Sequence, residues 1–174
     1  MYNPKPRILS LHCRLLLITI IAFVVIPASL FAQELPPRPM LLTTFQNLSF
    51  GAFINGNGGG TVTINPEGSR TSSGDIYLVN MGESFYPAIF EVEALPGNII
   101  HVNLPVYATL SGPAGKSPLS VEINSSLPVS PFVNTTNPPY RTQVRVGGTL
   151  TVGNSSSSPS GNYIGSFSIT FIQE

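Results

Sequence analysis

Cysteine is almost missing from this chain: Cys13 is the only one in 174 residues. It stands before the apolar run 15–26, whereas a lipid-anchored export carries its cysteine just after such a run, so no lipid anchor is expected. Past residue 32 there is no thiol, which excludes a disulfide, a thiolate nucleophile and a cysteine-ligated metal from the rest of the chain. Histidine and aspartate are nearly as scarce, with only His101 and Asp75 beyond residue 32. A single histidine cannot build a two-histidine zinc motif, and a single aspartate cannot build an EF-hand loop. Tryptophan is absent and charged residues make up only 9% of the chain, so the surface must draw its polarity from Ser, Thr, Asn and Gly.

What is present begins with a targeting pattern. Lys5, Arg7 and Arg14 precede the apolar residues 15–26, then Pro27 breaks the run and Ser29-Leu30-Phe31-Ala32 closes it. Positive, apolar, then small is the order of a cleaved secretory signal, predicted over residues 1–32 with the mature protein starting at Gln33. A core of about 12 residues is short for a membrane span, which needs about 20, and no later segment is apolar enough to span. Residues 33–40 hold Pro36, Pro37 and Pro39 and read as an extended lead without a core contribution.

After residue 32 five basic residues face eight acidic ones, a net charge of −3. Without a basic stripe, nucleic acid and anionic membrane surfaces are poor partners.

From residue 41 onward β signals follow one another at 41–45, 48–53, 61–65, 75–79, 87–94, 99–104, 107–110, 119–123, 142–146, 149–152 and 163–172. Gly, Pro, Asn and Ser clusters separate them, and no stretch shows helical periodicity. The expected fold class is all-β, an immunoglobulin-like β-sandwich forming one domain over residues 41–174. The inward phase gives a core of Phe50, Phe53, Val62, Ile64, Leu78, Phe90, Val92, Ile100, Val102, Leu104, Val121, Ile123, Leu150, Val152, Phe167, Ile169 and Phe171. If 88–94 and 99–104 form a hairpin, parity demands a three-residue loop over Leu95–Gly97. Val92 then pairs with Ile100 and Phe90 with Val102, Gly97 takes the left-handed position, and Glu91 faces His101. In the last strand Tyr163, Phe167, Ile169 and Phe171 share one face, and Gly165 leaves room for a neighbour. The echo Gly59-Gly60-Thr61-Val62-Thr63 and Gly147-Gly148-Thr149-Leu150-Thr151 reads as two unrelated strands, each after a Gly-Gly turn.

Chemistry-bearing motifs are thin. No Gly-x-Ser-x-Gly elbow accompanies His101 and Asp75. Glu91 and Glu93 project from one face of a strand, but no aromatic wall joins them, so they read as a solvated sheet face. The glycine run 56–60 ends in Thr61 where a dinucleotide fingerprint needs glycine, and residues 112–117 end like a P-loop with Leu110 at its first glycine position. Asn47, Asn124, Asn134 and Asn154 open Asn-x-Ser/Thr sequences, which this Asn-, Ser- and Thr-rich composition produces by chance.

Taken in order, 47–53, the first Gly-Gly-Thr run, Gly68-Ser69-Arg70, Ala88–Val92, 147–153 and Gly161–Phe167 resemble a family of bacterial secreted domains of unknown function, the four-four-zero-two family. Phe31-Ala32-Gln33 also looks like exports of Bacteroidetes-type bacteria. The resemblance implies an exported β-sandwich somewhat similar to fimbrial and spore-coat-type subunits. It carries over no activity and no catalytic residue.

The expected function is therefore a non-catalytic structural or adhesive domain, secreted to the periplasm, the outer surface or the medium, that needs no cofactor and no metal. Its partners would be other surface proteins, itself or a polysaccharide. The alternative is a carbohydrate-binding module using loop aromatics such as Tyr107, Phe132 and Tyr140, and an enzyme of unknown type comes third. Residues 34–45 are either the domain's own first strand or a strand donated to another copy.

Overall fold

The structure, a computed structural model, describes residues 38–113 and 116–174; the predicted signal and residues 33–37 of the lead lie outside them. Among the described residues thirteen strands follow in chain order: β1 Leu41–Gln46, β2 Ser49–Phe50, β3 Phe53–Ile64, β4 Arg70–Leu78, β5 Phe85–Tyr86, β6 Ala88–Glu93, β7 Ile99–Asn103, β8 Tyr107–Ser111, β9 Leu119–Leu127, β10 Phe132–Val133, β11 Thr142–Val152, β12 Ile164–Ser166 and β13 Thr170–Gln173. All pairings are antiparallel. The fold is the all-β sandwich expected from the alternating strands. Among the described residues no helix is long and apolar enough to cross a membrane.

One layer runs β1-β6-β11-β9-β8-β12, with the β3–β4 hairpin attached to β11; the facing layer is β10-β7-β13, and β2-β5 form a small third sheet. β11 is long enough to serve two neighbours on one edge. Thr142–Val146 pair with β6 and Gly148–Val152 with β3. Gly147 and Gly148 lie inside β11, and Gly59 and Gly60 inside β3, so neither pair turns the chain as expected; at the changeover a Cβ on Gly147 would lie 2.4 Å from the Ile64 carbonyl. The two echo strands are direct neighbours, with Thr63 opposite Thr149 and Thr61 opposite Thr151.

The β3–β4 hairpin doubles back on itself near Gly60 and Gly74. These glycines are cross-strand partners, and a Cβ on Gly60 would meet the Ser73 carbonyl at 2.0 Å. Gly74 sits at φ +69, a left-handed conformation that glycine adopts without a Cβ penalty. The fold-back brings Arg70 to the far end of its own hairpin. There its guanidinium donates to the carbonyls of Phe50, Ala52 and Val79 and lies 4.3 Å from the Phe85 ring centre.

The core follows the alternation. Val62, Ile64, Val92, Ile100, Val102, Val121, Ile123, Leu150 and Val152 are buried together with Phe50. Phe53, Leu78, Phe90, Leu104, Phe167, Ile169 and Phe171 are half-buried against them. Burying an aliphatic side chain of this size is worth about 1.5–3 kcal/mol. Ile76, Ala88, Ile89, Ala94, Ala108, Leu119, Val144 and Val146 complete the core beyond the expected set.

Several local expectations are corrected. β6 and β7 are not a hairpin: β6 pairs with β1 and β11, while β7 pairs with β10 and β13. The segment 94–98 crosses between layers, and Gly97 supplies the left-handed residue there, at φ +92. Asn134 pins this crossing. It is 1% exposed, its Nδ2 donates to the carbonyls of Ala94, Leu95 and Thr136, and its Oδ1 accepts from the hydroxyls of Thr136 and Thr142. Residues 48–53 split into β2 and β3 at Gly51-Ala52, and 163–172 split into β12 and β13 in different layers. The lead does contribute to the core, since Met40 packs against it.

Candidate functional site

Four surfaces carry chemistry. The first lies on the outer face of β6. Glu91 and Glu93 project from it together, as alternation requires, but this face is not solvated at Glu93, which is 8% exposed. Arg38 and Arg141 lie across it. Arg38 Nη2 is 3.3 Å from Glu93 Oε1, Arg141 Nε is 3.6 Å from Glu93 Oε2, and Arg141 Nη1 is 3.2 Å from Glu91 Oε2. Both carboxylates are thus occupied by guanidinium groups, an arrangement that fixes strands in place. Glu91 does not face His101; His101 Nε2 instead lies 3.5 Å from Glu174 Oε1. Asp75 accepts the Gly58 amide across the hairpin bend. His101 and Asp75 are therefore engaged separately.

The second surface is the expected aromatic set, and the fold does not gather it. Tyr107 is exposed on β8, Tyr140 is exposed in the turn before β11, and Phe132 on β10 is half-buried against the core. Tyr107 stands opposite Glu122, and Glu122 opposite Thr149. Tyr140 lies beyond the other end of β11, roughly 30 Å of extended chain away.

The third surface continues from Tyr107 across the outer face of the large sheet. Because Val62, Leu150, Val121 and Ala108 point inward, their strand neighbours point out, and they form two rows. One row is Thr71, Thr63, Thr149, Glu122 and Tyr107. The other is Ser73, Thr61, Thr151, Ser120, Thr109 and Ser166. Neighbouring members are spaced about 4.8 Å across strands and about 6.7 Å along them. Thr61 and Ser73 share a 2.7 Å hydroxyl bond, and Thr63 and Thr149 one of 3.1 Å. Every member but Glu122 carries a hydroxyl. The Gly-Gly-Thr-x-Thr echo is the sequence signal for this face, since its two copies are the neighbouring strands β3 and β11.

The fourth surface is the edge strand β1. Leu41, Leu42 and Phe45 are 51%, 43% and 64% exposed, and no side chain of β1 is buried. Strand edges of this kind offer unpaired amides and carbonyls to another strand. A shallow depression of about 330 Å3, lined by Asn80, Gly82, Glu83, Ser84 and Phe85, lies elsewhere and gathers no chemistry beyond Glu83.

A family model described as "Domain of unknown function (DUF4402)" matches residues 41–172. No curated protein and no solved structure matches the chain.

Proposed function

The chain belongs to this DUF4402 family of unknown function, and we propose that it is a non-catalytic structural or adhesive domain, exported to a bacterial cell surface or its matrix, that works by contact through strand edges. The observation that carries this reading is β1, an edge strand that exposes Leu41, Leu42 and Phe45. The export pattern of residues 1–32 supplies the compartment. Fimbrial-type assembly belongs to the same reading. Lys116 is the only lysine after residue 32, and it is exposed. A membrane-impermeant amine reagent should therefore label the protein on intact cells at that residue; labelling only after lysis would overturn a surface location. Light scattering over about a hundredfold range of concentration should show association that Leu41→Lys with Phe45→Lys abolishes, because charge on an edge strand blocks pairing.

A second reading is favoured by the two hydroxyl rows. They form a rigid, uncharged platform apart from Glu122, with Tyr107 at one end, and a neutral polysaccharide fits it by hydroxyl bonding and by stacking on Tyr107. Retention on an insoluble neutral glucan should fall about tenfold with Tyr107→Ala. Tyr140→Ala, off this face, should leave it unchanged. Equal loss in both variants, or no retention of the parent protein, would sink the sugar reading.

A further inference from the structure

We infer that residues 38–46 are an exchangeable strand, so that β1 of one copy can occupy the edge of β6 in a second copy of this chain. The inference rests on the edge-contact reading above and names its partner.

The β1–β6 pair is unbalanced in burial. β1 lies on β6 with Leu41 opposite Glu93, Leu42 opposite Val92, Thr43 opposite Glu91 and Thr44 opposite Phe90. β6 is core: Ala88, Ile89 and Val92 are buried and Phe90 packs against them. β1 buries no side chain of its own. It is held by the ladder and by a few pins near its ends. Arg38 reaches Glu93, Gln46 Nε2 donates to the Pro87 carbonyl at 2.8 Å, Gln173 Nε2 donates to the Arg38 carbonyl at 3.4 Å, and Met40 rests on the core. Each of these contacts joins the segment 38–46 to the rest of the domain. The same segment arriving from another copy would remake all of them, so exchange sacrifices no contact and is governed by concentration and entropy.

The segment is also built to move as a unit. The regular register ends at a bulge between Thr44 and Gln46, and Asn47, exposed and outside any strand, follows as the hinge before β2. On the other side Pro39, with Pro36 and Pro37 before it in the sequence, favours extended backbone. Leu41, Leu42 and Phe45, left exposed in one copy, are the apolar surface that a joined pair can cover.

The test uses the full chain with Cys13→Ser, purified as the cell processes it, so that introduced cysteines are the only thiols. Thr43 and Glu91 are direct cross-strand partners, within reach of a disulfide after a small adjustment. One sample carries Thr43→Cys and another Glu91→Cys; they are unfolded, mixed, refolded at high concentration and oxidised. Exchange predicts a mixed disulfide between the two variants, about tenfold above that formed when Ser120→Cys replaces Glu91→Cys, because only paired strands hold the thiols together. A labelled peptide of residues 38–46, refolded with the unsubstituted full chain, should also co-elute with it on gel filtration. Mixed disulfide at the Ser120 background, with no peptide retained, overturns exchange. If scattering still reports dimers in that case, the copies add edge to edge and the edge-contact reading stands while exchange falls. If scattering reports a monomer at every concentration, both fall.

Discussion

Phe90 on β6 and Phe171 on β13 meet across the sandwich, with ring centroids 5.8 Å apart and planes tilted by 53°. This is the tilted geometry that aromatic pairs prefer, and it ties the two layers together beside the β1 edge. Each ring is only half-buried, so loss of either should fall at the low end of the range for phenylalanine truncation, about 3 kcal/mol. A cycle of Phe90→Leu, Phe171→Leu and the double variant, read by urea denaturation, should give a coupling of about 0.5–1.5 kcal/mol. Strict additivity would mean that the rings only fill space.

Asn134 should prove costly to replace. Asn134→Ala takes the amide donor from the carbonyls of Ala94, Leu95 and Thr136, of which Leu95 keeps the Asn98 N–H, inside a site that is 1% exposed. Unsatisfied buried groups cost about 1–3 kcal/mol each, and partial relaxation brings the expected loss to about 3 kcal/mol. Asn124, exposed and also at the head of an Asn-x-Ser sequence, is the control. Asn124→Ala should change stability by less than about 0.5 kcal/mol. A similar loss at both positions would refute the pin.

The parity argument placed Phe90, Val92, Ile100 and Val102 on inward faces, and all four do face the core. It failed at the next step because inward phase is a property of one strand, while pairing is a property of two. β6 and β7 turn their apolar faces into one core from different sheets, which satisfies the same alternation as a hairpin would. Asn134 holds the crossing between them, and its partners Ala94 and Leu95 lie 40 and 39 residues away in the chain. The cover on the Glu91–Glu93 face is hidden from the sequence for a related reason. Alternation shows that both carboxylates point outward, but the covering guanidiniums arrive from Arg38 and Arg141, at separations of 55 and 50 residues. The hydroxyl rows were legible as a repeated Thr-x-Thr, yet their adjacency depends on β11 changing neighbours at Gly147, which no local pattern announces. Tyr107 and Phe132, expected on loops, lie on strands β8 and β10; residue type alone points to Tyr107, and the two-residue strand of Phe132 carries no readable phase.

Arg70 should resist conservative replacement. Its fork satisfies three carbonyls at once, those of Phe50, Ala52 and Val79, while its plane stacks on Phe85. A lysine ammonium is a compact charge that cannot reproduce this fork or the stacking. Arg70→Lys should therefore cost about 2 kcal/mol in thermal or urea unfolding, and Arg70→Met more, since the carbonyls of Phe50 and Val79 then lose the guanidinium and that of Ala52 keeps only the Val79 N–H. If lysine proves neutral, the hairpin fold-back is held by Gly60 and Gly74 alone.

The carboxylate pair on β6 makes the most discriminating case, because Glu91 and Glu93 share a face, a strand and the Arg141 guanidinium but differ in cover. The Glu91 side chain is 20% exposed and has one partner; that of Glu93 is 9% exposed and has two. Arg38 and Arg141 are themselves 55% and 39% exposed, so water screens their charge and the full penalty of a buried broken pair does not apply. Glu91→Gln should cost less than about 1 kcal/mol, as a partly exposed pair does. Glu93→Gln keeps the shape but leaves two guanidiniums converging on a neutral amide, and it should cost about 2 kcal/mol. Added salt should narrow the gap between the two variants, because screening weakens what Glu93 alone supplies. Because Arg38 leads directly into β1, Glu93→Gln should also speed hydrogen exchange in β1 relative to Glu91→Gln. Equal stabilities for the two variants, with unchanged exchange in β1, would show that Arg38 does not hold the edge strand.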